Sequence, residues 1–226
     1  MTERIIVINP NSSQDCTDGI DTALNPLRLD GGPDIECLTL TEGPPGVETQ
    51  CHVDGVIAPM RKLVENTDNR ASAFVIACFS DPGLHAMRET TAKPVLGIAE
   101  SAMLTACTLG DRFGVIGILA ASVARRRRFI RGLGLESRFA GEVPVGLGVT
   151  DLADETITLD RMIDCGRRLR DEDGAGVLIM GCAGMARYRK RLEDDTDLPV
   201  VDPTQAAVTM AIGAVRLELR TAAQRR

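Results

Sequence analysis

The sequence predicts an α/β fold of two pseudo-symmetric lobes, each with a parallel sheet flanked by helices, that face one another across a cleft. Short apolar runs rich in β-branched residues alternate with longer amphipathic stretches, which is typical of strand–helix–strand units. The chain also resembles itself, with four landmarks in the same order in each half, which indicates a duplicated unit. A chain of 226 residues is long enough for two lobes with cores of their own.

The strand candidates are short apolar runs, and most are followed by an amphipathic segment of helical length. The first strand, at 4–9, contains Ile-Ile-Val-Ile and stops before Pro10, which lacks a backbone N–H. The helix at 83–90 is predicted to have Asp81 as its N-cap and Pro82 in its first turn. In chain order, strands are predicted at 4–9, 35–39, 73–78, 95–98, 112–118, 176–182 and 200–202, and helices at 49–66, 83–90, 101–109, 122–133, 151–171, 185–192 and 205–220.

The internal repeat is clearest around two cysteines. The run 73–78 ends on Cys78 and the run 177–182 ends on Cys182. A Pro-Val strand follows each at nearly the same interval, beginning at Pro94 and at Pro199. Two copies of one unit normally pack about a pseudo-twofold axis, and open parallel sheets bind ligands at the carboxyl ends of their strands. The repeat therefore predicts two thiols on opposite walls of one cleft.

Two facing thiols suit the inversion of a carbon centre by proton transfer. A base must remove the proton from one face and an acid must return one to the other, and a thiol serves as either according to its ionisation. A helix N-terminus or polar neighbours lower the pKa of a thiol towards neutrality. We therefore expect Cys78 and Cys182 to be the catalytic acid and base of a racemase.

Residues that follow the predicted strands are candidates for holding the substrate. Backbone N–H groups after each cysteine are placed to bind the negative oxygen that develops as the proton leaves. Polar side chains after the first strand of each half supply further hydrogen bonds. The candidate substrate-binding residues are Asn11, Ser12 and Ser122 after those first strands, and Phe79, Ser80, Ala183 and Gly184 beside the two thiols.

Charge and composition exclude several classes of protein. A net charge of −6 and a pI of about 5.1 argue against a nucleic-acid partner. The run from Arg125 to Arg128 is interpreted as a solvated or subunit-contact helix face, with an anion site as the alternative. Seven scattered cysteines without a CxxC spacing, with only two histidines, argue against a zinc site.

The sequence predicts a cytoplasmic protein that does not bind membranes. No apolar span reaches the length of a transmembrane helix, and the opening apolar run is too short for a secretion signal. Thiols stay reduced in the cytoplasm. The expected partner is a small-molecule substrate, and a homo-oligomer is expected because closed assemblies are common among soluble enzymes.

Three motifs carry a resemblance to a known family. They are residues 8–13 (Ile-Asn-Pro-Asn-Ser-Ser), 77–83 (Ala-Cys-Phe-Ser-Asp-Pro-Gly) and 181–185 (Gly-Cys-Ala-Gly-Met). They resemble the aspartate/glutamate/hydantoin racemase superfamily, and most of all its hydantoin and allantoin racemase branch. The resemblance runs through nearly the whole chain.

The resemblance implies a fold, a mechanism and a substrate class. It implies Rossmann-like lobes, the first formed by residues 1–98 plus 205–226 and the second by 99–204, because a terminal helix returns to the first lobe. It implies catalysis without a cofactor or metal, with Cys78 and Cys182 as paired acid and base. The substrates would be 5-substituted hydantoins, inverted at C5, or allantoin.

Two departures from the family pattern would touch the pocket and so bear on the identity of the substrate, and two alternative functions also stay open. Residues 118–122 read Ile-Leu-Ala-Ala-Ser where adjacent threonines are usual, and Ser80 stands where glycine is common. One alternative is an isomerase or decarboxylase of the same fold that uses a single cysteine as nucleophile or proton donor. Another is a non-catalytic two-lobed protein that binds a small molecule.

Overall fold

Two four-stranded sheets, in which all strands are parallel, form the frame of the fold. The structure is a computed structural model that describes residues 3–222, apart from the side chains of residues 150 and 153. The first sheet has the strand order β2-β1-β3-β4 and the second the order β6-β5-β7-β8. The strands are β1 Arg4–Asn9, β2 Asp34–Thr39, β3 Ala73–Ile76, β4 Val95–Gly97, β5 Phe113–Gly117, β6 Phe139–Pro144, β7 Val177–Met180 and β8 Val200–Val201.

The identical strand orders confirm the predicted fold class and duplication. β1 pairs with β2 and β3 in the first sheet, as β5 pairs with β6 and β7 in the second. The central strands are buried on both faces because helices cover the sheets. The α-helices are α1 Gln14–Ala23, α2 Gln50–Gly55, α3 Ile57–Thr67, α4 Leu84–Thr90, α5 Ile98–Leu109, α6 Val123–Gly132, α7 Glu155–Asp171, α8 Arg189–Thr196 and α9 Pro203–Arg216.

Two elements were missed by the sequence prediction, and both have weak local signals. β6 contains three residues of low strand propensity before its final Pro144 and lies at a sheet edge, where proline is tolerated. α1 is polar, and only Thr17 and Ile20 in it are buried. It begins where the side chain of Ser13 accepts a hydrogen bond from the backbone N–H of Cys16, so Ser13 is the N-cap of this helix.

Several predicted boundaries also differ from the structure. The helix predicted at 49–66 is broken at Val56 into α2 and α3. The helix predicted at 185–192 is a 3₁₀ turn, Ala183–Tyr188, followed by α8. Both cysteine strands end two residues earlier than predicted, at Ile76 and at Met180. Each thiol therefore lies on the loop after its strand.

Helices α5 and α9 connect the two sheets. α5 contacts β4 of the first sheet and β5, β7 and β8 of the second, and α9 packs on α5 and on β1, β3 and β4. One apolar core runs through both helices and reaches both sheets. The lobe boundaries predicted at 98/99 and 204/205 stay a prediction, and residues 1, 2 and 223–226 of the predicted first lobe lie outside the described residues. In the described part of the chain, no helix combines the length and apolar character needed to cross a membrane.

Candidate active site

A cavity at the carboxyl ends of the central strands contains both predicted thiols. It comprises about 470 Å³ of empty space, part of it open to solvent, and is lined by residues from both halves of the chain. Cys78 and Ala77 follow β3, and Cys182 and Gly181 follow β7. The structure thus brings Cys78 and Cys182, which are far apart in the sequence, to one cavity.

The two thiols have equivalent local surroundings. Each lies two residues after its strand, and each sulfur accepts a hydrogen bond from the backbone N–H two residues further on, that of Ser80 for Cys78 and that of Gly184 for Cys182. Such hydrogen bonds favour the thiolate and lower its pKa. The pseudo-symmetry of the fold therefore extends to the atoms around each sulfur.

Burial overrides these hydrogen bonds. It raises the pKa of Cys78 to about 11 and that of Cys182 to about 12. The expectation that helix termini lower both pKa values towards neutrality is therefore wrong for this cavity. Both thiols are protonated at neutral pH, and thiolate forms only as the pH rises or as the surroundings change.

Asn11 is held in the cavity wall by its own loop. Its Oδ1 accepts hydrogen bonds from Asn9 Nδ2 and from the Ser13 backbone N–H, each over 2.9 Å. Its Nδ2 lies 3.7 Å from the sulfur of Cys16. Cys16 also lines the cavity, so a third thiol lies there that the sequence interpretation did not identify.

A buried ion pair closes the second-lobe side of the cavity. Arg126 Nε lies 3.4 Å from Glu142 Oε2, and the two side chains are 5% and 1% exposed. Arg126 Nη2 donates to Ser122 Oγ over 3.2 Å, and the guanidinium carbon lies 4.6 Å from the centre of the Phe79 ring. A Cβ at Gly117 would come within 2.3 Å of Glu142 Oε1, so glycine there makes room for the carboxylate. Burial lowers the pKa of Arg126 and raises that of Glu142, and each charge opposes the shift of the other.

Polar contacts join the two halves of the chain beside the cavity. Arg125 Nη2 donates to the backbone oxygen of Glu48 over 3.3 Å and to Ser80 Oγ over 3.5 Å. Glu48 Oε1 accepts from the backbone N–H of Val149 over 2.9 Å. Val149 and Val47 line the cavity beside these contacts.

The arginine run is therefore not a uniformly solvated face. Arg127 and Arg128 are exposed, but Arg125 is half-buried and Arg126 is buried, and the latter two line the cavity. The interpretation as a solvated or subunit-contact face is wrong for Arg126. The alternative of an anion site agrees better with its position.

Asp81 has a different role from the predicted one. α4 begins only at Leu84, and Asp81 adopts φ of 41° in the loop before it. Its carboxylate instead accepts hydrogen bonds from the backbone N–H groups of Ala99 and Glu100 at the start of α5, over 3.0 and 2.8 Å. Asp81 is thus the cap of the next helix, and burial raises its pKa to about 7 against these hydrogen bonds.

Most of the predicted binding residues lie at the cavity. Asn11, Phe79, Ser80, Ser122 and Ala183 line it. Ser12 and Gly184 do not line it. The backbone N–H of Ser12 donates to the backbone oxygen of Pro44 on the neighbouring loop, and Gly184 lines an adjacent groove.

The sequence interpretation missed Cys16, Arg125 and Arg126 as cavity residues. The position of Arg126 beside the buried Ile130 on one helical face was the only signal that this arginine points inwards. Among residues 3–222, no group of three or more His, Cys, Asp or Glu side chains is arranged to hold a metal ion.

Comparisons with known proteins match nearly the whole chain. A family profile described as Asp/Glu/Hydantoin racemase matches residues 5–211. The chain is 33% identical to a hydantoin racemase of Paenarthrobacter aurescens, with 96% of this chain and 93% of the relative covered. It is 34% identical to a hydantoin racemase of Pseudomonas sp. (strain NS671), with 96% and 88% covered. The structure of an allantoin racemase from Klebsiella pneumoniae superposes with a TM-score of 0.90 at 31% identity, with 98% and 91% covered.

Proposed function

The chain belongs to the Asp/Glu/hydantoin racemase family and is an isomerase, and on this premise we propose that it inverts the C5 stereocentre of 5-substituted hydantoins or of allantoin. These compounds are cyclic ureides whose C5 carries an acidic hydrogen next to a ring carbonyl. Relatives over nearly the whole chain are a hydantoin racemase and an allantoin racemase.

The observation that carries this proposal is the pair of thiols lining one cavity from equivalent positions. One cysteine, as thiolate, takes the proton from C5, and the electron pair of that bond moves onto the ring and its C4 oxygen. The other cysteine, as thiol, gives its proton to the opposite face of C5. The product is the mirror image of the substrate, and the two cysteines have exchanged protonation states.

This proton balance needs no oxidant, reductant or other group, so we propose a reaction without a cofactor. We also propose that the protein works as a homo-oligomer in the cytoplasm. Seven free cysteines are suited to a reducing compartment. Light scattering of the purified protein measures its assembly state directly.

A panel of enantiopure substrates tests the proposed function. Purified protein is incubated with each enantiomer of 5-methyl-, 5-isopropyl- and 5-benzylhydantoin and of allantoin, and the optical rotation is followed. We expect the rotation of at least one pair to decay to zero from both sides at the same kcat/KM, because the equilibrium constant of a racemisation is one. The Cys78→Ser/Cys182→Ser double variant is the matched control and should show only the spontaneous rate.

The same samples distinguish the alternatives. A covalent adduct on one cysteine, detected by mass spectrometry, would indicate a single-cysteine isomerase or decarboxylase. Ligand affinity with no change of rotation and no exchange of the C5 proton would indicate a binding protein. No change with any substrate in the panel would contradict the proposed function.

A further inference from the structure

Two donor atoms of the Arg126 guanidinium that lines the cavity, Nε and Nη1, form no hydrogen bond among the described residues. Nη1 of Arg126 is buried, and no hydrogen-bond acceptor reaches it from the described residues. It lies against Gly181, where an added Cβ would come within 3.0 Å of it. Leaving a guanidinium N–H buried without an acceptor is costly, so such a group is usually completed by a ligand or by water.

The ion pair with Glu142 does not use up the binding capacity of Arg126. The carboxylate pairs with Nε over 3.4 Å, and neither Glu142 Oε2 nor Arg126 Nε forms a hydrogen bond in the described structure. Nη2 donates to Ser122. These contacts hold the guanidinium in place through Nε and Nη2 and leave Nη1 without a partner among the described residues.

The charges around the cavity are unequal. Arg125 and Arg126 line it, whereas no Asp or Glu is among the described residues that do so. Glu142 balances one of the two positive charges, and the acceptors of Arg125 are a backbone oxygen and a hydroxyl. The cavity therefore favours a ligand that carries, or acquires, a negative oxygen.

Arg126 also contacts a neighbour of each thiol. It lies over Phe79, which follows Cys78, and its Nη1 lies against Gly181, which precedes Cys182. A donor that contacts a neighbour of each thiol is available to a planar ring whichever face loses the proton. This is the position required to stabilise the intermediate that both enantiomers share.

We propose that Arg126 is a further catalytic residue, whose Nη1 donates to the ring oxygen that becomes negative when the C5 proton leaves. The cavity is then selective for planar cyclic ureides that bear an enolate oxygen. This inference rests on the proposed function for its reaction, but its anion-binding part is testable without turnover. Glu142 and Ser122 are positioning residues that act through Arg126.

Kinetics of Arg126→Met test the catalytic role. We expect kcat/KM for racemisation to fall by about 10²–10³-fold, the usual cost of losing one oxyanion donor. The loss should be larger for 5-isopropylhydantoin than for 5-phenylhydantoin, because the phenyl ring itself delocalises the negative charge. A purely structural role would lower both rates by the same factor. Arg127→Met, an exposed neighbour on the same helix, is the matched control.

Because Arg126→Met leaves Glu142 buried and unpaired, the Arg126→Met/Glu142→Gln double variant removes both charges together. It should fold as judged by circular dichroism and show the same substrate-dependent loss. Retention of kcat/KM within twofold of wild type by this folded double variant would overturn the catalytic role.

Binding of barbiturate tests the anion site apart from turnover. Barbiturate is a planar cyclic ureide that is an enolate at neutral pH, and the neutral dihydrouracil is its control. By calorimetry, we expect the double variant to bind barbiturate at least tenfold more weakly than wild type and dihydrouracil equally well. If wild type racemises nothing but binds barbiturate through Arg126, the proposed function fails and the anion site stands. If wild type racemises and both variants match it in rate and affinity, this inference fails and the proposed function stands.

Discussion

The carboxylate at the start of the helix after the fourth strand is supplied by different residues in the two halves. In the second half it is Asp202, whose side chain caps α9 by accepting from the Gln205 backbone N–H over 2.7 Å. In the first half the equivalent residue is Gly97, and Asp81 reaches over from the cysteine loop to cap α5. A Cβ at Gly97 would come within 2.2 Å of the Asp81 carboxyl carbon, so the two side chains occupy one place.

The different origin of the capping carboxylate in the two halves predicts that two substitutions compensate for each other. Asp81→Ala should lower the free energy of unfolding by about 1–2 kcal/mol, because it removes the acceptor of two helix-start N–H groups. Adding Gly97→Asp should restore most of that loss by copying the arrangement of the second half. Gly97→Asp alone should destabilise the protein by its clash with Asp81. Urea denaturation of the three variants measures the coupling between the two substitutions. Strictly additive changes in the free energy of unfolding would contradict the prediction.

The raised pKa values of the two thiols predict that kcat/KM depends on pH. The reaction needs one thiolate and one thiol, and both pKa values lie above the ordinary value, at about 11 and about 12. The fraction of protein with one thiolate therefore rises about tenfold per pH unit through the neutral range. We expect log(kcat/KM) to increase with a slope near +1 from pH 7 to pH 9. A plateau already reached at pH 8 would show that the free protein holds a thiol of ordinary or lowered pKa.

At the residue scale, the sequence located the cysteines but not the residues that set their ionisation. Cys78 and Cys182 were predictable because each ends an apolar run that recurs in the other half. Arg126 was not, because a run of four arginines is usually solvated and the only signal for the inward one was its four-residue spacing from Ile130. The pKa direction was also wrong, since burial depends on how the loops close over the cavity.

At the scale of the elements, α5 and α9 pack closely on each other through small side chains, and this packed contact is called the seam. Ala99, Ala102 and Ala106 of α5 and Ala207 and Ala211 of α9 are fully buried. Small residues let two helices and the strands beside them approach closely. The seam thus leaves little space for larger side chains.

This packing predicts different effects for two substitutions on one helix. Ala211→Leu should lower the free energy of unfolding by about 1–3 kcal/mol, because it adds volume to a filled core. Thr209→Leu, at an exposed position of α9, is the matched control and should have little effect on stability. Thermal and urea unfolding compare the two variants. Equal stabilities would mean that the packing around Ala211 leaves space for a larger side chain.

Strongly apolar elements were predictable from the sequence, and weakly apolar ones were not. β3 and β7 are apolar throughout and appear at nearly the predicted positions. β6 and α1 were missed because their stability comes from pairing with β5 and from packing on the first sheet, and not from local propensity. The repeat contained a signal for β6, since β2 requires a counterpart in the second half.

At the scale of the whole molecule, duplication accounts for both the fold and the candidate site. Two sheets of identical strand order, β2-β1-β3-β4 and β6-β5-β7-β8, place equivalent loops at one cavity. Each of the two equivalent loops contributes one thiol to the cavity, and residues that differ between the halves, such as Arg126, distinguish this chain from a strictly symmetric one. The central claim is therefore that the two thiols act on opposite faces of one carbon.

Proton exchange in heavy water tests this claim most directly. Cys78→Ser and Cys182→Ser are each incubated with both enantiomers of an active hydantoin, and loss of the C5 proton is followed by NMR and chiral chromatography. We expect each variant to lose racemisation by at least about 10²-fold and to exchange the proton of one enantiomer with retention, the two variants choosing opposite enantiomers. Cys51→Ser, which removes an exposed thiol, should behave as wild type. Full racemisation by either site variant, or exchange of the same enantiomer by both, would contradict the account.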